Sequence, residues 1–408
     1  MQGHGELAAG RIVAALAAAA ERWCNADFPP RIRATRAVME RTGYTEPVVD
    51  FALDRLFESI DRSAIEATIA GELGSVAALD GFVERAGRPP VSFRGASPAV
   101  IVASDTTIGV ALPALVFALC AKAQVTVKDR DDRLAAAFVE TLAEEEPALA
   151  QRVTVEVWEG GDPAQSRAHL SDAQVVLAYG SDAALRAIRA QLAAQTRFVA
   201  FGHRTSIAYV AREALCDEMA AISVARDAAR DALLYDGDGC LSLHALFVER
   251  GGAIAPREFA PTVARACDHV AIEFPAGFRR APAAVAAYRR AALFRAAAGR
   301  GAVYDGIVSP HLVAYDPPVD EPPPLLPRTL AVYPVDGPQE ALAYVQRHAL
   351  PLEAFGVVAG KRPDVEAVAR QSGASRIALL GRLQAPPLGG EHGGEGRILP
   401  FVRAIYRQ

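Results

Sequence analysis

From about residue 97 onward, short runs of β-branched residues alternate with longer runs rich in alanine and leucine. Strands that alternate with helices form βαβ units, so this pattern predicts a mostly parallel sheet. Ligands of such sheets bind beyond the carboxyl ends of the strands. The predicted strands cover 99–104, 125–128, 153–157, 175–180 and 197–202, and the helices between them include 110–121, 133–142 and 182–192.

A second α/β stretch follows residue 240, and a different pattern precedes residue 90. Residues 1 to about 90 show apolar side chains at helical spacing, which predicts helices. The segment from residue 384 to the end is predicted to be loop-rich and then helical. In the second stretch the predicted strands are 244–248, 329–335, 354–360 and 376–381, and the predicted helices are 281–299, 338–348 and 363–372.

The composition is that of a globular protein with a large core. The 408 residues are 51% hydrophobic and 22% charged, which suits two α/β domains of ordinary size. A net charge of −5 provides no field that would attract nucleic acid or an anionic membrane. The apolar runs at 12–20 and 106–121 are too short for a membrane span.

The cysteines predict neither a disulfide framework nor a metal cluster. There are five, scattered along the chain, and no two form a CxxC pair. We therefore expect a reducing compartment, the cytoplasm, and no bound metal. The fingerprints GxGxxG, HExxH and GxSxG and the P-loop are also missing from the sequence.

Cys240 differs from the other cysteines because it ends the run Asp236-Gly-Asp-Gly-Cys. Two glycines allow a tight turn and a close approach of substrate, between a predicted helix at 223–234 and the strand at 244–248. One interpretation is that Cys240 occurs in this turn by chance and has no chemical role. The other is that it is a nucleophile. The remaining cysteines lie in helical windows, where a buried, inert thiol is usual. Ser242 and His244 are predicted to be structural.

The order of several short motifs resembles the aldehyde dehydrogenase superfamily, and within it the LuxC-like acyl-CoA reductases, over roughly residues 95–405. Gly-Asp-Gly-Cys240 stands where that superfamily has its nucleophile loop. Val-Thr-Val-Lys128 is similar to the strand that ends in a cofactor-binding lysine, and Tyr-Gly-Ser181 to the turn beside the cofactor pyrophosphate. The C-terminal motifs that resemble the LuxC-like enzymes are 352–358, 381–387 and Glu-His392-Gly-Gly.

The resemblance implies an α/β, aldehyde-dehydrogenase-like fold in four parts. These are an N-terminal helical region (1–90), a Rossmann-type nicotinamide cofactor domain (91–235), an α/β catalytic domain (236–385) and a C-terminal tail that packs back (386–408). It also implies NAD(P)H-dependent reduction of an acyl-CoA or related acyl thioester to the aldehyde, through an acyl group on Cys240. NADPH is the expected cofactor, with NADH as the alternative. The implied cofactor-binding residues are Ser104, Lys128, Gly180, Ser181, Gly202 and His203.

Two departures from the superfamily pattern affect the chemistry. Near the strand end at Ser104, the superfamily has an oxyanion-holding asparagine, and the nearest residue here is Asp105, whose negative charge would oppose an oxyanion. Thr106, Thr107 or the backbone amide of Cys240 would then replace it. The general-base glutamate of aldehyde oxidisers is also missing from 198–203. A reductase benefits from that loss, because its thioester intermediate must not be hydrolysed.

His392 is the second catalytic candidate, as a proton donor in a glycine-rich loop, although a lone loop histidine is more often a surface group. Two rival functions stay open. One is an acyl-phosphate reductase on the same scaffold, and the other is a non-catalytic homologue that binds an acyl carrier or synthetase. The resemblance also implies an acyl-activating partner enzyme, and we expect a homo-oligomer.

Overall fold

The computed structural model describes residues 7–104, 107–129, 133–158, 163–277, 281–317 and 321–408. The chain divides into two compact units. The first comprises Met1–Thr42, Val49–Gly202 and Pro387–Gln408, and the second comprises Gly43–Val48 and His203–Pro386.

The helices are α1 (Ala9–Trp23), α2 (Pro29–Thr42), α3 (Glu46–Ser59), α4 (Arg62–Leu73), α5 (Ala111–Cys120), α6 (Leu134–Glu145), α7 (Pro147–Ala150), α8 (Pro163–Leu170), α9 (Asp182–Arg189), α10 (Glu218–Leu233), α11 (Pro256–Glu273), α12 (Pro282–Ala297), α13 (Pro338–Arg347) and α14 (Pro363–Gln371).

The strands are β1 (Val83–Arg85), β2 (Arg88–Gly95), β3 (Ala99–Val102), β4 (Val125–Lys128), β5 (Val153–Glu156), β6 (Val175–Tyr179), β7 (Arg197–Phe201), β8 (Thr205–Val210), β9 (Leu243–Glu249), β10 (Ala302–Asp305), β11 (Leu312–Tyr315), β12 (Thr329–Val335), β13 (Leu352–Val358), β14 (Arg376–Leu379) and β15 (Val402–Tyr406).

The first unit is built on a parallel sheet of five strands in the order β5-β4-β3-β6-β7. All four side chains of β3 and all five of β6 are buried, as expected for the centre of a sheet that is covered on both faces. The chain leaves β3 for β4 on one side and later returns to β6 on the other. This change of direction forms a crevice at the carboxyl ends of β3 and β6.

Helix packing in the first unit follows from the spacing of apolar residues near the N-terminus. In α1 the buried side chains include Ile12, Leu16 and Trp23, which recur at helical spacing. The Trp23 indole donates a hydrogen bond to Thr141 Oγ1 at 3.1 Å and stacks on Phe57 with 4.7 Å between ring centroids. The N-terminal helices are thereby fixed within the unit.

The second unit contains a seven-stranded sheet in the order β10-β11-β12-β9-β8-β13-β14. Its strands are parallel except for β10, which pairs with β11 in the antiparallel direction. Every side chain of β8, β9 and β12 is buried. These three strands therefore form the centre of the unit and support the turns that lead into their first residues.

The α/β fold is confirmed, with two local corrections. The C-terminal segment is a strand and not the predicted helix: β15 pairs with β2 in the antiparallel direction, and β2 also pairs with β1. Strands β1 and β2 begin before residue 90, so the predicted helical region is shorter than expected. The run Val402-Arg-Ala-Ile-Tyr406 is short and its strand character depends on the distant partner β2.

None of the described helices is long and apolar enough to cross a membrane. Over the same described ranges, no group of three or more His, Cys, Asp or Glu side chains is arranged to hold a metal ion.

Candidate active site

Cys240 lies in the turn that joins α10 to β9, at the amino end of a central strand of the second unit. The backbone between them is left-handed at three consecutive residues: Tyr235 (φ 55°), Asp236 (φ 53°) and Gly237 (φ 77°). The first two carry side chains, which makes this conformation costly unless other contacts impose it. The path of the chain into the Cys240 turn is therefore held by its surroundings.

A buried ion pair supplies that restraint. The Arg328 guanidinium donates from Nη1 to Asp236 Oδ1 at 2.9 Å, and the amide of Gly277 donates to Asp236 Oδ2 at 3.0 Å. The Arg328 backbone amide also donates to the carbonyl of Asp236 at 2.9 Å. Both side chains are buried, so each charge depends on the other for its compensation.

Hydroxyl groups fix the Cys240 turn on both sides. The Ser242 amide donates to the carbonyl of Gly239 at 2.9 Å, and Ser242 Oγ accepts from the Gly239 amide at 3.1 Å. Ser206 Oγ donates to the carbonyl of Cys240 at 2.9 Å and accepts from the amide of Ala354 at 3.2 Å. The turn is thus tied to the neighbouring strands β8 and β13 as well as closed on itself.

The electrostatic environment holds the thiol in its neutral form. Burial, together with the negative charge of Glu353, raises the pKa of Cys240 to about 12, while Arg204 and Arg376 act in the opposite direction. The residue as a whole is partly exposed. A thiol in this state becomes a nucleophile only when its proton is removed or the balance of nearby charges changes.

Glu353 is a functional candidate that the sequence analysis missed. It is the second residue of β13, it is only 3% exposed, and its Oε2 lies 3.6 Å from Arg204 Nε. The available signal was a carboxylate inside the buried run Leu352-Glu-Ala-Phe-Gly-Val-Val358. Buried carboxylates are rare unless they form an ion pair or have a functional role. The spacing of residues in the sequence did not predict that Glu353 lies near Cys240.

A cavity of about 310 Å³ lies at the same edge of the second sheet, beside Asp236. Its volume is that of a small-molecule site. The walls combine apolar side chains with the two ion pairs Asp236–Arg328 and Arg289–Asp305. The residues that line it include Pro282, Val285, Ala286, His311, Leu312 and Pro327.

In the first unit, the residues predicted to bind cofactor gather at the carboxyl edge of the five-stranded sheet. Ser104 follows β3, Lys128 ends β4, and Gly180 and Ser181 follow β6. Ser181 Oγ accepts from the Ala184 amide at 3.3 Å and so caps α9, while the Gly180 amide donates to the Phe201 carbonyl. Ser104 and Gly180 flank the crevice between β3 and β6, which is where ligands of such sheets bind.

Lys128 contacts an aromatic side chain at this edge. Its Nζ lies 5.0 Å from the centre of the Trp158 ring, and Trp158 stacks on His169 with 4.4 Å between centroids. His169 Nε2 in turn lies 3.2 Å from Glu156 Oε2. The ammonium group is therefore positioned by a cation–π contact.

The two predicted histidines occupy different units. His203 is exposed at the start of the second unit. His392 belongs to the first unit, where its ring meets the edges of Tyr179 and Phe201, with centroids 5.6 and 4.4 Å away. Both aromatic residues end strands of the sheet, so His392 lies with Gly180 and Gly202 at its carboxyl edge.

Of the predicted oxyanion residues, Asp105 and Thr106 lie outside the described part of the chain. Thr107 is described and exposed. It lines a small cavity of about 20 Å³ together with Ser104, Asp129 and Arg41. Arg41, from the end of α2, was not anticipated at this edge because its helix is distant in sequence.

The remaining cysteines divide into two classes. Cys120 and Cys267 are buried, as predicted for inert thiols in helices, whereas Cys24 and Cys216 are exposed at helix ends. Ser242 and His244 are both buried, and burial lowers the pKa of His244 to about 4, so its ring is neutral near pH 7.

Comparison with known structures identifies the class of fold. The chain is similar to a NAD-dependent benzaldehyde dehydrogenase from Corynebacterium glutamicum (TM-score 0.70, 12% identity, 98% of this chain and 86% of that one). It is also similar to an oxidoreductase from Marinobacter aquaeolei (0.72, 13%, 98% and 86%) and to aldehyde dehydrogenase 21 from Physcomitrella patens (0.70, 11%, 97% and 85%). The fold is that of the aldehyde dehydrogenases.

Sequence comparison then identifies the family. The family described as acyl-CoA reductase (LuxC) matches residues 6–404, which is nearly the whole chain. The protein belongs to this family of oxidoreductases, as the sequence motifs predicted. A search of curated protein sequences finds no match.

Proposed function

We propose that the protein reduces an acyl-CoA, or a related acyl thioester, to the aldehyde, with Cys240 as the nucleophile. The observation that carries this proposal is the restrained turn Gly239–Ser242, which presents one partly exposed thiol. One carboxylate and two arginine side chains act on that thiol with opposite effects on its pKa. Membership of the acyl-CoA reductase family supports the substrate class. The cavity beside Asp236 supports ligand binding at the same edge of the sheet.

In the first chemical step, Cys240 Sγ attacks the carbonyl carbon of the thioester. A new S–C bond forms, the bond from carbon to the carrier sulfur breaks, and the carrier leaves as its thiol. The thiol proton must leave Cys240 for this to occur, and Arg204 and Arg376 favour the resulting thiolate. The backbone amide of Cys240 is our proposed oxyanion donor; Asp105, Thr106 and Thr107 stay sequence-based candidates for the same task.

In the second step, the acyl group on Cys240 is reduced and released. When bound, a reduced nicotinamide would supply the hydride that the acyl carbon needs. Reduction would leave a thiohemiacetal oxyanion on Cys240. As its C=O bond re-forms, the C–S bond breaks, the aldehyde leaves, and Cys240 Sγ takes a proton from the solvent or from a side chain to regenerate the thiol. We retain His392 as the proposed proton donor. No carboxylate occupies 198–203, so the stretch lacks the base that would direct water at the intermediate.

We propose that the carboxyl edge of the first sheet binds the nicotinamide cofactor. The donor set there suits a dinucleotide: an ammonium group at Lys128, hydroxyls at Ser104 and Ser181, and the amino end of α9. Gly180, Gly202 and His203 complete the proposed contacts. NADPH is proposed over NADH, with kcat/KM for the two cofactors as the test; a higher value for NADH would reverse this preference.

The test of the whole proposal is intact-mass detection of an acyl adduct. The protein is mixed with acyl-CoA, acyl-carrier thioester or acyl phosphate without cofactor, and NADPH oxidation is then followed with each donor. A cofactor-independent adduct on Cys240 with the thioesters, followed by NADPH-dependent aldehyde release, supports the proposal. Turnover with acyl phosphate alone would favour the acyl-phosphate reductase. No adduct and no oxidation would favour a non-catalytic homologue, which the high pKa of Cys240 would suit.

We also propose a compartment, an oligomeric state and a partner enzyme for this reaction. The thiol must stay reduced, so we propose a reducing compartment such as the cytoplasm. We further propose a homo-oligomer, and an acyl-activating partner enzyme that supplies the thioester. Size-exclusion chromatography with light scattering, alone and with a candidate acyl-activating enzyme, tests both.

A further inference from the structure

The motif Gly381-Arg-Leu-Gln-Ala-Pro-Pro387 has no role in the chemistry described above, yet its first half lies against the end of α10. Asp231, in the last turn of α10, is fully buried. Its Oδ2 accepts from the amides of Gly381 at 2.6 Å and Leu383 at 3.4 Å. The carboxyl group thereby holds the backbone of the motif close to the helix that leads into the Cys240 turn.

Gln384 connects this anchored segment to the nucleophile turn. Its Nε2 donates to the Asp231 carbonyl at 3.2 Å and to Ser242 Oγ at 3.0 Å. Gln384 is 8% exposed and Ser242 is fully buried, so water does not readily replace either bond. A single amide group thus joins the end of α10 to the turn.

The contact is directed at the residues on either side of Cys240. Ser242 Oγ accepts from Gln384 and also from the amide of Gly239, the residue before Cys240. A hydroxyl oxygen has two acceptor positions, and these two donors use both. The position of Ser242 Oγ, and with it the closure of the turn, therefore depends on Gln384.

We propose that Gln384 is a positioning residue for the nucleophile, which acts through Ser242 to set the geometry of the Cys240 turn. The inference rests on the nucleophile role proposed for Cys240. Attack on a carbonyl is sensitive to small displacements of the attacking atom, so a loosened turn slows acylation even when the fold is intact. The C-terminal motif of the family then has a physical task within the second unit.

A merely structural role for Gln384 gives a different expectation. If Gln384 only fills space beside α10, its loss lowers the melting temperature and leaves the reactivity of a folded Cys240 unchanged. If it holds the turn closed, its loss makes the thiol more accessible to a small reagent and less competent toward a bound acyl group. Reactivity at Cys240 therefore separates the two, independently of stability.

The experiment compares Gln384→Leu, Ser242→Ala and the double variant with the wild type, and uses Gln371→Leu as a matched control on an exposed glutamine. Iodoacetamide alkylation is followed at Cys240 by peptide mass spectrometry, with the exposed Cys216 as the internal standard. Acylation by acyl-CoA without cofactor is followed by intact mass. The melting temperature shows whether each variant is folded.

We expect Gln384→Leu and Ser242→Ala each to raise the Cys240 alkylation rate by about threefold to tenfold and to lower its acylation rate by a similar factor, the effect of one buried hydrogen bond. Cys216 stays unchanged. The double variant resembles the single variants, because both remove the same contact.

Unchanged Cys240 alkylation in folded Gln384→Leu or Ser242→Ala overturns the proposal, and so do effects that multiply in the double variant. Ser242→Ala removes one oxygen atom and decides the outcome if Gln384→Leu does not fold. If wild-type Cys240 takes up no acyl group, the proposed function fails, while the alkylation comparison still decides whether Gln384 sets the turn.

Discussion

At the scale of single residues, the main finding is that the Cys240 thiol lies in a restrained turn but is not ionised. Burial and Glu353 together raise the pKa of Cys240, and two arginines only partly offset them. A thiol that stays protonated until substrate arrives is protected from side reactions with small electrophiles and oxidants.

Replacing Cys240, the proposed nucleophile, should remove covalent chemistry. We expect Cys240→Ser and Cys240→Ala to abolish both the acyl adduct and acyl-CoA reduction, because a serine hydroxyl is a poorer nucleophile and leaving group near neutral pH. Intact mass and NADPH oxidation measure the two. Cys216→Ser is the control and keeps full activity; an adduct that persists in Cys240→Ala would place the nucleophile elsewhere.

Neutralising Glu353 should activate the thiol. In Glu353→Gln the negative charge that raises the pKa of Cys240 is gone, and Arg204 loses its carboxylate partner. The pKa of Cys240 therefore falls, and alkylation near pH 8 speeds up by roughly threefold to tenfold. The rate is measured from pH 7 to 10 against Cys216, with the surface change Glu366→Gln as control. A slower reaction in Glu353→Gln would mean that Glu353 assists ionisation.

Asp231 should make stability depend on pH. Burial raises its pKa to about 7 in the folded protein, well above the value of a carboxyl group in an unfolded chain. The protonated form therefore stabilises the fold below about pH 4, and this contribution is lost as pH rises through about 7. The full loss corresponds to at most about 4 kcal/mol.

The matching variant is Asp231→Asn, which cannot ionise. Its melting temperature relative to the wild type should be higher at pH 8 than at pH 5, and differential scanning fluorimetry at both values measures this. Glu366→Gln serves as the surface control. A difference that is the same at both pH values would show that Asp231 is already ionised in the folded state at pH 5.

At the scale of elements, the first residues of the connection from α10 to β9 are held in place by other parts of the chain. The left-handed backbone of Gly237 is explained by its lack of a side chain. Tyr235 and Asp236 adopt the same left-handed angles although their side chains disfavour them. Arg328, at the start of β12, supplies the charge and the backbone amide that hold Asp236 in place. The Cys240 turn therefore depends on a residue that lies 88 positions beyond Cys240 in the chain.

Breaking the Asp236–Arg328 ion pair should loosen the Cys240 turn. Arg328→Met leaves Asp236 buried without its cation, which we expect to cost about 3–5 kcal/mol and to slow acylation of Cys240. Urea unfolding and intact-mass kinetics measure the two effects. Arg289→Met removes a surface arginine from the exposed pair with Asp305 and should cost much less, because solvent screens an exposed ion pair. Equal costs for the two variants would contradict the special role of the Asp236–Arg328 pair.

The strands also differ in how well a local sequence pattern predicts them. Strands β3 to β7 were predicted to within one or two residues, because each is a β-branched run separated from the next by a helical window. Strand β8 follows β7 after three residues and is not among the predicted strands. It is a strand because it pairs with β9 and β13, which no local pattern records.

At the scale of the whole chain, the C-terminus returns to the first unit as part of its structure. Strand β15 extends β2, and the segment before it is held by Glu72, which accepts from the amides of Arg397, Ile398 and Leu399 at 2.6 to 3.0 Å. The predicted tail that packs back is therefore a paired strand with a carboxylate anchor.

Removing that anchor should release the end of the chain first. In Glu72→Gln the side chain can no longer accept from all three amides, and we expect a loss of about 1–3 kcal/mol together with faster proteolysis after residue 396. Limited trypsin digestion and thermal unfolding measure these. Glu66→Gln, on an exposed face of the same helix, is the control. Unchanged proteolysis in Glu72→Gln would mean that pairing with β2 alone holds the terminus.

The amino-acid sequence by itself determined the class of fold and the five strands of the first sheet, and it singled out Cys240 among five cysteines as the predicted nucleophile. These depend on local periodicity, on glycine spacing and on motif order, which are all written along the chain. Only the tertiary structure decided that Glu353, Ser206 and Gln384 surround the Cys240 turn and that Arg328 holds its approach. These residues come from separate strands and loops, and side-chain neighbours across a sheet are set by strand order and register. The thiol was visible in the sequence, whereas its pKa and its orientation are properties of the folded sheet.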